Sequence, residues 1–288
     1  MVTARTMQKK FLFFVSFIWF WIGANAWAQE LHDAARQGDV RAVQALLRQG
    51  VDVDLRDEEA RTALMVAAGS EEPANTEVVV ALLEARADVN ATDNFGNSAL
   101  CSAAFASNED VLLTLLVAGA DPRRRNRKGV TALLKAVVSG SHRAVKLLLE
   151  RGADPNAQTD LGYTALMWAA AKGQPETVHQ LMQGRADVNA ANKKGITSLM
   201  LGVSEGHIQA VKILLENGAD VNAQTPEGNT ALMSAVVTGR ADMVKLLLDH
   251  GADVNTRGGQ GYTASYFALM MGRADLALLL LEAEPTAQ

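Results

Sequence analysis

Three groups of residues have the types and spacing that chemistry requires. Gly202–Gly206 reads GVSEG and matches G-x-S-x-G, the turn that exposes a nucleophilic serine in serine hydrolases. Five histidines, His32, His142, His179, His207 and His250, are the side chains best suited to proton transfer or metal ligation near neutral pH. Arg123–Lys128 reads RRRNRK, five cations in six positions, and guanidinium forks bind carboxylate or phosphate oxygens in pairs.

The first two groups dissolve on inspection. A nucleophile elbow needs a strand-to-helix turn, whereas GVSEG has sisters AVVSG at 136–140 and AVVTG at 235–239 that end helices in the same frame. No two histidines stand at H-x-x-x-H spacing, and Cys101 is the only cysteine, so no ligand set for zinc or its relatives is present. The sequence therefore predicts no catalytic residue, no metal site and no cofactor. Cys101 reads as a small buried hydrophobe, and a single cysteine forms no internal disulfide.

The elements that carry these residues repeat. An Asp recurs at 52, 88, 121, 154, 187, 220 and 253, and a Thr or Ser at 62, 98, 131, 164, 197, 230 and 263. The first step is 36 residues and each later one 33, with the three extra residues in GSEEPANTE. A fixed period of this length marks a stack of supersecondary units. Within each unit the Thr caps a first helix, a Gly such as Gly140 breaks it, and Val145, Leu148 and Leu149 form the i, i+3, i+4 stripe of a second helix. Gly152 then supplies a left-handed C-cap. Arg86 and Arg185 stand where that glycine is expected, which predicts two strained joints. Helices this short bury their stripes only by stacking.

The T-x-L-x-x-A opening and G-A-D-V-N close at period 33 resemble ankyrin repeats. The resemblance covers nearly the whole chain beyond the N-terminal segment, as about eight repeats with the first and last acting as caps. It implies an all-α solenoid of paired antiparallel helices, with first helices on a concave face and β-hairpin finger loops projecting from it. The TALM wording is similar to that of exported bacterial ankyrin proteins. Met65, Cys101, Leu134, Met167, Met200, Met233 and Tyr266 occupy the slot of the family's bridging histidine, so an apolar ladder is expected there instead.

The resemblance also implies where contacts fall: finger tips, the residue before the opening Thr, and the end of the first helix. On this chain those positions hold a basic set, Arg123, Arg124, Arg125, Arg127, Lys128, Lys193 and Lys194, and an apolar strip, Val130, Tyr163 and Ile196. These ten are the candidate partner-binding residues. Charge for solubility is the competing reading of the arginines. Against it, five like charges repel, and Arg123 displaces the Asn expected to help form its turn. An acidic protein patch, an anionic lipid headgroup or a lipopolysaccharide phosphate would each satisfy them.

Residues 1–28 carry Arg5, Lys9 and Lys10, then the apolar run FLFFVSFIWFWIGA, then Ala26-Trp27-Ala28. This is the order of a secretory signal peptide cleaved near Ala28; the alternative is an uncleaved anchor. Residues 29–288 are then the repeat domain. The chain is formally −5, and loss of the three leader cations leaves −8, a poor balance for nucleic-acid binding. The sequence thus predicts a periplasmic or secreted, non-catalytic protein that binds a protein partner. The narrower alternatives are an immunity-type inhibitor of a toxin and a host-directed effector.

Overall fold

The computed structural model describes residues 27–70 and 75–283; Glu71–Ala74 of the GSEEPANTE insertion, Glu284–Gln288 and most of the leader lie outside them. The chain divides into two compact units between Arg127 and Lys128. The first holds α1 (27–36), α2 (Val40–Arg48), α3 (Ala63–Ala68), α4 (Asn75–Glu84), α5 (Ala99–Ala106) and α6 (Glu109–Val117). The second holds α7 (Ala132–Ser139), α8 (His142–Glu150), α9 (Ala165–Ala171), α10 (Pro175–Gln183), α11 (Ser198–Glu205), α12 (Ile208–Glu216), α13 (Ala231–Val237), α14 (Ala241–Asp249), α15 (Ala264–Met270) and α16 (Ala274–Glu282).

In the second unit the first helices α7, α9, α11, α13 and α15 pack side by side in one layer. The second helices α8, α10 and α12 form another, with α14 against α16, and each pair packs antiparallel. The first unit repeats the scheme with α3 on α5 and α2, α4, α6 in sequence. The core is the seam between layers, filled by Leu64, Leu100, Leu133, Leu166 and Leu199 from the T-x-L motif and by Leu82, Leu115, Leu148 and Leu181 from the second helices. Met65, Cys101, Leu134, Met167, Met200 and Met233 are buried as the apolar ladder required, and Tyr266 is partly exposed.

Thr caps start the first helices as expected: Met65, Leu134, Met167, Met200, Met233 and Tyr266 donate N–H to the Thr Oγ1 three residues earlier. Ser98 makes no such bond. Arg86 and Arg185 do adopt left-handed backbone, at φ 68° and 65°. Replacing either with glycine removes the Cβ penalty, and net of the added freedom of the unfolded chain it is expected to raise stability by about 0.5–1 kcal/mol, read as a higher urea midpoint.

The fingers are simpler than β-hairpins. The described residues contain no strand, and the finger at 191–197 shows an isolated antiparallel bridge, Ala191 with Thr197. The turns are closed by a single cross-turn backbone bond, such as Asp93 N–H to Asn97 O and Asn192 N–H to Ile196 O, and by the side chain of the same residue. Asp93 Oδ1 accepts the N–H groups of Phe95 and Asn97, and Asn192 Oδ1 those of Lys194 and Ile196. Fingers are then tied tip to tip by backbone bonds, Arg127 N–H to Phe95 O, Asp160 N–H to Lys128 O and Lys193 N–H to Leu161 O. Pro226 ends this series, because it has no N–H to give.

Two ladders that sequence reasoning did not find bind repeat to repeat. Asn90, Asn156, Asn189 and Asn222 each donate Nδ2–H to a carbonyl of the next repeat and accept its Asp N–H, Asn189 for example from Asp220 at 2.8 Å while donating to Gly218 O. Gln174, His207, Arg240 and Arg273, spaced by 33, each reach a carbonyl at the end of the preceding first helix, those of Val137, Ala171, Glu205 and Gly239. The period was legible, but four different side chains in one role disguised it. The expectation for Arg123 changes as well. Its N–H bonds Asp121 Oδ1 at 2.9 Å, so the local turn is intact. What the missing Asn removes is an acceptor, since a guanidinium has only donors.

Candidate binding groove

The 33-residue step sets Val130 and Tyr163 one repeat apart on the finger-bearing side of the second unit. Each precedes the Thr that caps a first helix, so each side chain stands at the junction of finger and helix. With Leu134 and Val138 of α7, Leu161 of the next finger and Trp168 of α9, they line an open groove of 490 Å³. Its floor is apolar, and Lys128, Lys135 and Asp160 stand at its edge. The Tyr163 and Trp168 rings lie 6.0 Å apart, tilted by 46°, within the range of favourable aromatic pairs. Leu161 is 66% exposed and Trp168 37%, unusual for side chains of this size. The bond from Asp160 N–H to Lys128 O, 3.0 Å, keeps the two fingers in register around the groove.

Of the ten candidate residues, the structure brings Lys128, Val130 and Tyr163 together in this groove. Ile196 is half-buried one repeat on, and Lys193 and Lys194 are exposed on its finger, which the Lys193 N–H to Leu161 O bond ties to the groove's rim. Arg123, Arg124, Arg125 and Arg127 belong to the first unit, where all four are exposed. Leu134, Lys135, Val138 and Trp168 were absent from the sequence-based set. Trp168 had a usable signal: its frame position holds Val66, Ser102, Lys135, Leu201, Ser234 and Phe267 in the other repeats, the variability expected where folding makes no demand.

A second concavity, at the C-terminal end of the same unit, is lined by Pro226, Tyr262, Tyr266, Phe267 and Met270. Tyr262 and Tyr266 stack at 4.0 Å, nearly parallel. On α15 and α16, Leu269, Leu278 and Leu281 are more than half exposed.

Among the described residues no group of three His, Cys, Asp or Glu side chains is placed to hold a metal ion, and no helix is long and apolar enough to cross a membrane. Perturbed carboxylates lie at the ends rather than in the groove. Burial raises the pKa of Asp57, but the Arg61 backbone N–H and guanidinium outweigh it and hold the group below 3.8; the Arg61 Nε to Asp57 Oδ2 distance is 2.7 Å. At the other end, the Arg273 guanidinium brings Asp275 down to about 2. A depressed carboxylate stabilises the fold fully above its unfolded pKa, and that contribution is lost as pH falls through the folded value. Thermal melting is therefore expected to weaken below pH 3.8. In Asp57→Asn and Asp275→Asn chains that acid dependence should be shallower.

The family profile described as Ankyrin repeats (3 copies) matches residues 31–126, 73–159, 103–192, 133–225 and 199–288. The chain belongs to the ankyrin-repeat family. No curated protein matches its sequence. Ankyrin repeats support a role in protein–protein interaction, with variable positions displayed on a framework whose other positions are occupied by folding.

Proposed function

We propose that this ankyrin-repeat chain is an exported, non-catalytic binding protein. Its partner is a protein with an acidic patch around an apolar anchor, and it works in the periplasm or outside the cell. The observation that carries the reading is the groove of Val130, Leu134, Tyr163 and Trp168 with Lys128 and Lys135 at its edge. Such a site suits an apolar side chain flanked by carboxylates, since anchors fill desolvated pockets and rim charges steer association. The exposed Lys193 and Lys194 on the adjoining finger extend the cationic rim. Export rests on the leader-like order of residues 1–28.

The test is a paired capture from periplasmic extract, read by mass spectrometry. One bait is the intact repeat domain and the other carries Lys128→Ser, Lys193→Ser and Lys194→Ser, with melting matched. A protein retained by the first bait and lost from the second, with retention weakening in salt, is the expected result. Equal capture by both baits would sink the cationic-rim reading, and a third bait with Arg123, Arg124, Arg125 and Arg127 changed to Ser asks the same of the arginines.

A further inference from the structure

The two concavities of the second unit use the same frame positions three repeats apart. Lys128, Val130, Leu161, Tyr163 and Trp168 line the first. The residues 99 positions further on, Glu227, Asn229, Gln260, Tyr262 and Phe267, line the second. The aromatic pair is kept while the polar surroundings change. A carboxylate stands at the position of Lys128, Ser234 at that of Lys135, and two amides replace Val130 and Leu161. Among the lining residues of the second concavity, Glu227 is the one that carries a formal charge at neutral pH. Arg257, on the same finger, donates Nη1–H to Gly261 O at 3.0 Å and is not part of the lining.

The aromatic wall is also larger here. Tyr266 fills a slot held by Met65, Cys101, Leu134, Met167, Met200 and Met233 in the other repeats, and it is 37% exposed. Its ring stacks on Tyr262 with planes 5° apart, and Phe267 meets both rings edge-on at 6.2 Å. The result is a flat, electron-rich face braced from the side. Gly259 lets its finger close on residue 227, since a Cβ there would lie 2.5 Å from Glu227 O. The backbone that carries the carboxylate is thereby fixed at the wall. The concavity measures 810 Å³, within the span of about 300–1,000 Å³ found for ligand sites.

Tyrosine faces attract cations. A planar guanidinium stacks on such a face while its N–H fork pairs with a carboxylate, which a lysine ammonium does not do. The side-chain carbonyls of Asn229 and Gln260 supply acceptors for the remaining N–H groups. We propose that this concavity binds an arginine side chain of a peptide or protein partner, stacked on the tyrosine pair and paired with Glu227. It is a second site with the opposite charge preference to the groove at Tyr163, and it stands whether or not that groove takes an acidic partner.

Met270 lines the concavity, so its methyl signal in NMR of the full chain, labelled at methionine methyls and assigned with Met270→Leu, reports on occupancy. The probes are the capped peptide Gly-Arg-Gly and its citrulline analogue, which keeps the shape of arginine and lacks its charge. The arginine peptide is expected to move the Met270 signal saturably, and the citrulline peptide to bind about tenfold more weakly. Glu227→Gln, a change at an exposed side chain, should weaken the arginine peptide by about the same factor with melting unchanged. Equal binding of the two peptides, or binding untouched by Glu227→Gln, overturns the assignment. So does a Met270 signal that stays still at millimolar arginine peptide. A signal that moves with protein concentration alone would place a second copy of the chain in the concavity, and the proposal would fall.

Discussion

Gly162→Ala is expected to lower the stability of the second unit by about 3 kcal/mol, the sum of a left-handed backbone penalty near 1 and a backbone clash of about 2. Gly162 has φ +83°, and a Cβ there would lie 2.8 Å from the Lys193 nitrogen and 2.9 Å from Asn192 Cα. Both neighbours are backbone of the next finger, which is held by the Lys193 N–H to Leu161 O bond and by the Asn192 turn. Neither can step aside without breaking that register. Gly218→Ala is the control: φ is +85°, but nothing lies within 4 Å of the added Cβ. It should cost only about 1 kcal/mol, the backbone term alone. Urea unfolding of the two variants separates the terms. Equal losses would mean that finger stacking exerts no steric demand at 162.

Tyr163→Ala is expected to weaken partner binding by about 30-fold, equivalent to about 2 kcal/mol, with melting nearly unchanged. The ring is half-buried and lines the groove between Val130 and Trp168. The backbone of residue 163 does the structural work: its N–H bonds Thr159 Oγ1 and its carbonyl accepts the Thr159 N–H. Removing the ring leaves both bonds in place and empties the groove of its largest anchor after Trp168. The measurement is affinity for the captured partner by surface plasmon resonance, beside a melting curve. Unchanged affinity would place the partner elsewhere, with the Tyr262 and Tyr266 concavity the next surface to alter.

These two predictions concern adjacent residues with opposite roles, and the sequence separates them only partly. Gly162 recurs as Gly96, Gly129, Gly195, Gly228 and Gly261, so its framework role could be read from periodicity. Tyr163 stood out because its frame position varies among Arg61, Asn97, Val130, Ile196, Asn229 and Tyr262. Which variable positions share a groove could not be read that way. Val130, Tyr163 and Ile196 look like one strip in the repeat frame, yet only the first two line the same concavity, with Leu134, Val138 and Trp168. The seven recurrent Asp residues form turns, each Asp Oδ1 accepting an N–H two residues on, Asp154 from Asn156 for instance.

The sequence by itself determined the unit of structure: two short helices and a finger per 33 residues, the T-x-L core, the glycine caps, and the left-handed arginines at 86 and 185. Each of these depends on contacts within one repeat or on a side chain's own backbone preference, and local chemistry writes them directly into residue type and spacing. Only the tertiary structure decided how consecutive repeats hold each other. The amide ladder through Asn90, Asn156, Asn189 and Asn222, the second ladder through Gln174, His207, Arg240 and Arg273, the contact of His32 Nε2 with Arg61 O and the groove all join residues about 30 positions apart. Donors as different as an amide, an imidazole and a guanidinium fill one such role, because the fold asks only for an N–H at a given point in space. That demand is geometric, and it becomes visible once the repeats are stacked.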